Sequence, residues 1–333
     1  MPPPSDAPGR DKAFPVRHVA AIDPKPKDAL WLVESLWAAS GVGIVAGLPK
    51  ALKTWVATEL AVAVASGKDA LGRFPVKQVG PVLVYAAEDD LPSMRSRFQA
   101  VADARGITLK DTPVYLIDLP ALRLDDPVQL RRLHSTVATL RPRLLVLDPF
   151  IRIVRVDENS AQEVSAVLGS LRALQRELDV AVLLVHHMRK SPSAHLGQQL
   201  RGSGDFAAWY DSGIYLVRDG PTHLVLSVEH RGAPAPPPLR IHLASEGPPH
   251  LVIDPSAVQS AISSGEPGSL CDAVLERLRP SRRPLSTVEL RDLLKVRKAS
   301  LLEALNELRA GRLVMRSDQG WVLTAPLQLS LDE

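Results

Sequence analysis

One cysteine, Cys271, stands among the 333 residues. A lone thiol excludes an internal disulfide framework and a cysteine-built metal cluster, and it suits a reducing cytoplasm. Long apolar runs are missing too. No stretch approaches the roughly 18 uninterrupted apolar residues of a membrane-spanning helix. The opening MPPPSDAPGRDK is polar and proline-rich, unlike a secretory leader. Charge is nearly balanced, with Lys plus Arg at 40 against Asp plus Glu at 37, a net of +3. That excess is too mild to prove a nucleic-acid partner. No internal repeat is present. What is there is 45% apolar and 23% charged, enough to bury a core and too much for bulk disorder. The length fits one large domain plus a smaller one. The expectation is a soluble cytoplasmic α/β protein with an appendage.

Residues 1–27 read as a flexible arm, because PPP and DPKPKD argue against regular structure. WLVESLW, Trp31 to Trp37, is a short apolar helix or strand leading into the core. From Gly41 onward wholly apolar strands alternate with helical segments. The strands are GVGIVAG, Pro81 to Glu88, Pro113 to Asp118, Arg143 to Phe150 and Val180 to His187. That alternation is the pattern of a mainly parallel sheet covered on both faces. A long amphipathic helix follows Phe150, with Asn159 or Ser160 as its N-cap. After Tyr210 two strands flank Asp219-Gly220-Pro221, a hairpin signal. LRIHLA and PHLVID are short strands extending one edge of the sheet. The core is expected over 28–252 and a linker over 253–267. Three helices and a hairpin over 268–325 suggest a winged helix, with a tail at 326–333.

The sharpest local signal is Gly47-Leu48-Pro49-Lys50-Ala51-Leu52-Lys53-Thr54, between an apolar strand and a helix. That is the context a phosphate-binding P-loop requires. Folded-back amides and the positive end of the helix face an anion. A lysine at the seventh position neutralises phosphate and a hydroxyl at the eighth holds magnesium. Lys53 and Thr54 occupy those places. Leu52 departs from the pattern, which wants glycine for close backbone approach. The bland alternative is a strand-turn-helix that happens to contain Lys-Thr.

Other constellations raise the nucleotide reading. Asp148 closes Leu144-Leu145-Val146-Leu147, so a buried strand delivers a carboxylate to the sheet edge where α/β ligands bind. There it can hold the magnesium; the alternative is a loop or capping aspartate before Pro149. Glu88, followed by Asp89 and Asp90, can orient and deprotonate an attacking water, or belong to an acidic turn that caps the next helix. His186 and His187 end the next strand, and strand alternation lets one of them face the site. A zinc site lacks a third suitably spaced ligand. The polar loop after His187 is long for a compact domain. It is a candidate to bind a nucleic-acid strand or a neighbouring subunit, with Lys190, Arg201, Arg218 and Arg231 as nearby cations, or it is a surface loop with no partner.

The final domain carries 11 Lys plus Arg against 8 Asp plus Glu between Glu266 and Thr324. A support helix begins at Ser286 or Thr287, and a recognition helix runs from about Ala299 to Ala310. Arg282, Arg283, Arg297, Lys298, Arg312 and Arg316 are the candidate nucleic-acid contacts. The recognition helix itself holds only Arg309 against Glu303 and Glu307, which is poor for reading bases. Protein docking is the alternative. Leu293, Leu301, Leu302, Leu305 and Leu308 read as core.

Taken together, WLVESLW, GLPKALKT, YAAEDD, LLVLDPF with DENSAQEVS behind it, LLVHHMRK and LRGSGDFAAWYDS resemble the plasmid- and phage-encoded ring-helicase ATPases of the RecA-like superfamily. The likeness spans about residues 30 to 245. It implies a RecA-like P-loop core, a ring that is usually hexameric, ATP with Mg²⁺ between subunits and single-stranded DNA in the channel. By that resemblance Lys53 and Thr54 are the P-loop pair, Glu88 is the catalytic carboxylate and Asp148 is the magnesium-side acid. His187 is the γ-phosphate sensor, and Arg201 belongs to a loop near the subunit boundary. Where the family places an arginine finger, this chain reads Phe206 to Asp211 without a basic residue. Arg201, Arg218 and Arg231 are the substitutes to be judged by geometry. The expected function is an ATP-hydrolysing helicase or translocase of replication or mobile-element maintenance. The alternative is a catalytically weak RecA-like DNA-binding scaffold or regulator. A small-molecule kinase would need a lid and an acceptor pocket that the pattern does not suggest.

Overall fold

The computed structural model describes residues 16–24, 26–155, 161–188, 205–254, 270–279, 281, 283–294, 296, 298–310, 313–317 and 320–323. Most of the N-terminal arm, the linker, the tail and the Asn159/Ser160 cap lie outside them. The chain divides into two compact units, Met1–Pro255 and Ser256–Glu333.

The first unit is an α/β body. Its helices are α1 Lys53–Ser66, α2 Leu91–Ala104, α3 Pro127–Leu140, α4 Ala161–Leu178 and the short α5 Asp205–Trp209. Its strands are β1 Trp31–Val33, β2 Trp37–Ala38, β3 Val42–Gly47, β4 Val82–Ala86, β5 Val114–Leu116, β6 Leu144–Asp148, β7 Ala181–His187, β8 Ser212–Asp219, β9 His223–His230, β10 Leu239–Leu243 and β11 Leu251–Ile253. Nine of them form one sheet in the order β11-β10-β9-β8-β3-β7-β6-β4-β5. From β8 to β5 all neighbours are parallel; β9, β10 and β11 continue the edge antiparallel.

The parallel strands are apolar throughout because both faces are covered. Period-two alternation sends Val45, Val84, Val146 and Val185 to a cluster with α1 and α2. It sends Ile44, Tyr85, Leu147 and Leu184 to a second cluster with α3, α4 and α5. α1 is buried over nearly its whole length, which its run of alanines and valines allows. Aspartates start the outer helices: Asp90 accepts from Ser93 N at 2.6 Å and Asp126 from Val128 N at 2.8 Å, satisfying otherwise orphaned donors.

WLVESLW, legible as either helix or strand, is the small antiparallel pair β1–β2. It buries Trp37, whose ring lies 2.6 Å from where a Cβ on Gly43 would stand. Only glycine fits there. One carboxylate is buried inside the apolar α1: Glu59 accepts from Arg105 and from Leu251 N. This ties α1 to the end of α2 and to β11, so the charge has partners in place of water.

The second unit holds α6 Leu270–Leu278, α7 Thr287–Leu294, α8 Lys298–Ala310 and the hairpin β12 Val314–Ser317 with β13 Gly320–Leu323. Ser286 and Glu289 form a reciprocal capping box at the start of α7. The core is built from Val274, Leu290, Leu301, Leu305, Leu308 and Trp321, among others. Leu293 and Leu302 are not part of it: they are 50% and 38% exposed. A short helix in so small a unit has room for one inward stripe, and these two leucines fall outside it.

Candidate nucleotide site

The C-terminal ends of β3, β4, β6, β7 and β8 share one edge of the sheet, because the five strands run parallel. That edge receives Gly47, Glu88, Asp148, His187 and Arg218.

β3 ends at Gly47, pressed against β8: a Cβ there would meet the Leu216 carbonyl oxygen at 2.9 Å. The loop then turns. Ala51 N donates to Leu48 O at 3.2 Å, and α1 starts at Lys53. Two loop residues adopt the left-handed region, Lys50 at φ 64° and Leu52 at φ 55°. Glycine is the residue that takes that region without a Cβ penalty. The usual glycine before the lysine therefore has a conformational reason as well as a steric one. Leu52 meets the conformational demand at a cost of about 1–2 kcal/mol. Its side chain packs against the apolar cluster around α1, and that packing offsets the cost. The first amides of a helix have no intrahelical acceptor, and at α1 the N-cap residue Leu52 supplies no side-chain acceptor to them. A long helix with free N-terminal donors behind a bent loop favours an anion.

Leu52→Gly is expected to leave stability within about 1 kcal/mol of the parent, because relief of the left-handed strain offsets lost packing and added chain entropy. Leu52→Val is expected to lose at least about 1–2 kcal/mol, since a β-branched residue resists that conformation. Urea unfolding of the full chain separates the two. Equal losses would place the leucine's value in its packing alone.

Lys53 is buried at 7% exposure. Its ammonium donates to Gly47 O at 3.1 Å and Leu48 O at 3.0 Å. Burial holds its pKa below the ordinary lysine range, opposed by the nearby carboxylates of Asp148 and Glu88. Asp148 ends β6, buried. Burial pushes its carboxyl from 3.8 up to about 6, against a hydrogen bond donated by the Thr54 hydroxyl; Asp89 and Glu88 add to the rise and Lys53 opposes it. Oδ2 of Asp148 is buried with no hydrogen-bond partner. An orphaned carboxylate oxygen beside a threonine hydroxyl fits a hard divalent cation, which binds oxygen ligands.

Glu88 follows β4 and is exposed. Its Oε1 accepts from Arg152 Nε at 2.8 Å. Arg152 escaped the sequence reading, as nothing local links residues 64 apart. Of the next two acids, Asp89 pairs with Arg97 at 2.8 Å and Asp90 caps α2. His187 stands opposite Gly47 in the β3–β7 register. His186 is buried and stacks on Phe206 at 4.2 Å between ring centroids.

The cations proposed as substitutes for a finger separate clearly. Arg218, on β8, donates to Lys50 O at 3.0 Å. Arg231 sits at the opposite edge of the sheet, where it donates to Ala208 O and pairs with Asp211. Asp211 in turn accepts from Val42 N, at the far end of β3. Arg231 therefore stands away from this chain's own phosphate edge, because β9 runs antiparallel to β8 and carries its end there. Arg201 and Lys190 lie outside the described residues, as do Arg282, Arg297 and Arg312. In the second unit Arg283 pairs with Glu289 at 2.8 Å, Arg316 lies 6.0 Å from the Trp321 ring centroid, and Lys298 opens α8. Among the described residues no group of three or more His, Cys, Asp or Glu can hold a metal ion, and no helix is long and apolar enough to cross a membrane.

A strand, a phosphate-type loop, a buried lysine and a buried strand-end aspartate agree with the family match. The AAA domain family (AAA_25) matches residues 10–193, more than half of the chain. The chain belongs to the AAA domain family. Among solved structures, this AAA domain chain is similar to the RadB recombinase, at 18% identity and a TM-score of 0.47, over 63% of this chain and 90% of that one. It is similar to a DnaB-like replicative helicase solved to show its interactions with primase, at 15% identity and a TM-score of 0.49, over 64% of this chain and 57% of that chain. A comparison with curated proteins returned no match.

Proposed function

We propose that this AAA domain protein binds ATP with Mg²⁺ at the C-terminal edge of its parallel sheet and hydrolyses it as a RecA-like motor on single-stranded DNA. The observation that carries this reading is Asp148. Its buried carboxylate accepts from the Thr54 hydroxyl and keeps one oxygen, Oδ2, without a hydrogen-bond partner, and the buried Lys53 lies close enough to couple to it. Thr54 and Asp148 are the residues to hold Mg²⁺. When bound, the ion screens phosphate charge and orients the terminal phosphoryl group. The loop amides and Lys53 bind the triphosphate. Glu88 orients the attacking water and accepts its proton, and His187 beside Gly47 senses the terminal phosphate. A homo-oligomeric ring, a role in replication or mobile-element maintenance, and DNA or protein contact through a C-terminal winged helix belong to the same reading.

Isothermal titration with a slowly hydrolysed ATP analogue and Mg²⁺ is the test. Saturable heat that disappears on chelation is expected; no saturation at millimolar ligand would sink the reading. A second reading, a RecA-like scaffold or regulator with weak turnover, is favoured by the left-handed Leu52 and by the absence of a basic residue in the segment Phe206 to Asp211. Phosphate release that single-stranded DNA fails to stimulate, and that Leu52→Gly restores, would select it.

A further inference from the structure

Arg218 reaches the phosphate loop from outside it. It lies two residues beyond Leu216, and Leu216 is the register partner of Gly47 in the parallel β3–β8 pair. Two residues along a strand return to the same face, so Arg218 stands on the face where Leu216 joins the cluster around α1. One arm of its guanidinium donates to Lys50 O at 3.0 Å. The other donates to Pro221 O at 3.4 Å, in the turn that closes β8 onto β9.

The acceptor matters. Lys50 is one of two loop residues held left-handed without a glycine. A conformation that is strained for an L-residue persists only when its surroundings hold it. The base of the loop is held by Lys53, through Gly47 O and Leu48 O. A triphosphate competes for that same ammonium, so those two contacts weaken when ligand binds. The Lys50 carbonyl has a donor on β8 that a phosphate need not displace. An arginine also keeps its charge at every working pH and presents its donors in a rigid fork.

We propose that Arg218 is a positioning residue for the phosphate loop: by fixing the Lys50 carbonyl it holds the left-handed bend that aims the loop amides at a phosphate. This rests on the MgATP reading above. Arg218 acts on binding through Lys50, and not on the chemical step.

The test is a double-mutant cycle on the full chain. Binding of Mg²⁺ with a slowly hydrolysed ATP analogue, and with ADP, is titrated for the parent, Arg218→Ala, Arg218→Lys, Lys50→Gly and the Lys50→Gly/Arg218→Ala pair. Arg218→Ala is expected to weaken both ligands about tenfold, or about 1.4 kcal/mol. The melting temperature without nucleotide should hardly move, as befits an exposed contact. Arg218→Lys should recover part of the loss, because one donor still reaches the carbonyl. In the Lys50→Gly background the Arg218→Ala loss should shrink below about threefold, because glycine takes the bend unaided. The same tenfold loss in both backgrounds would overturn the proposal, because Arg218 would then act directly on the nucleotide. A parent that binds beside an Arg218→Ala that binds equally would overturn this proposal alone. A parent that does not bind at all overturns the function reading and this one with it.

Discussion

Glu88→Gln is expected to slow ATP hydrolysis about 10²- to 10⁴-fold while leaving MgATP affinity within about threefold. The carboxylate lies beyond β4, near enough to Lys53 and Asp148 to bias both, yet it is exposed. Its ion pair to Arg152 is open to solvent on both sides and contributes at most about 1 kcal/mol to stability. Glutamine keeps the size and an oxygen for Arg152 but cannot take a proton from water. The variant should therefore fold and bind as the parent does, and fail at the chemical step. Phosphate release at saturating ATP, with and without single-stranded DNA, reads the rate, and calorimetry reads the affinity. A rate within about threefold of the parent would remove Glu88 from the chemistry and leave it as part of an acidic turn.

Asp148→Asn is expected to change how stability depends on pH, in the direction opposite to an ordinary salt-bridged acid. The folded carboxyl titrates at about 6 against an ordinary 3.8. Below the unfolded value both states carry the proton and the residue imposes no penalty. As pH rises, the unfolded chain ionises first, and the folded state loses ground until it ionises as well. Above the folded value the penalty is constant at about 3 kcal/mol, a rise of about 2.2 pKa units at 1.36 kcal/mol each. Asparagine does not ionise. Between about pH 4, where part of the penalty is already present, and about pH 7.5 the stability difference between variant and parent should move by about 2.4 kcal/mol in the variant's favour. The orphaned Oδ2 becomes an orphaned amide, an offset that is the same at both pH values and cancels in the change. Magnesium should stabilise the parent in the presence of nucleotide and not the variant. Urea unfolding of the full chain at both pH values checks it. A difference that does not change with pH would mean that Asp148 is solvated, and its place as the cation-side acid would fall with its burial.

These two residues were legible from their positions in the chain. Four apolar residues closing on Asp148 and a buried strand closing on Glu88 state where each acid must emerge, because a parallel strand has one end that faces ligand. The strands themselves were legible for the same reason: a sheet covered on both faces tolerates no polar interruption. The start of α7 was legible only as a choice between Ser286 and Thr287, and the structure decides it by the reciprocal hydrogen bonds of Ser286 and Glu289. WLVESLW could not be assigned, because seven residues of mostly apolar character suit either period. Leu293 and Leu302 were misplaced because a leucine on a helix is inward only when the neighbouring elements cover it.

By itself the sequence determined that an α/β sheet would present a lysine, a threonine and two carboxylates at one edge, since chain order and apolar patterning dictate where strands end. Only the tertiary structure decided that a partly buried Leu52 packs against the core while its backbone bends left-handed, that Arg152 meets Glu88, and that Arg218 grips the loop while Arg231 is carried to the far edge. The physical reason is separation along the chain. Contacts between residues tens or hundreds of positions apart are made by packing and strand register, and no local pattern encodes them.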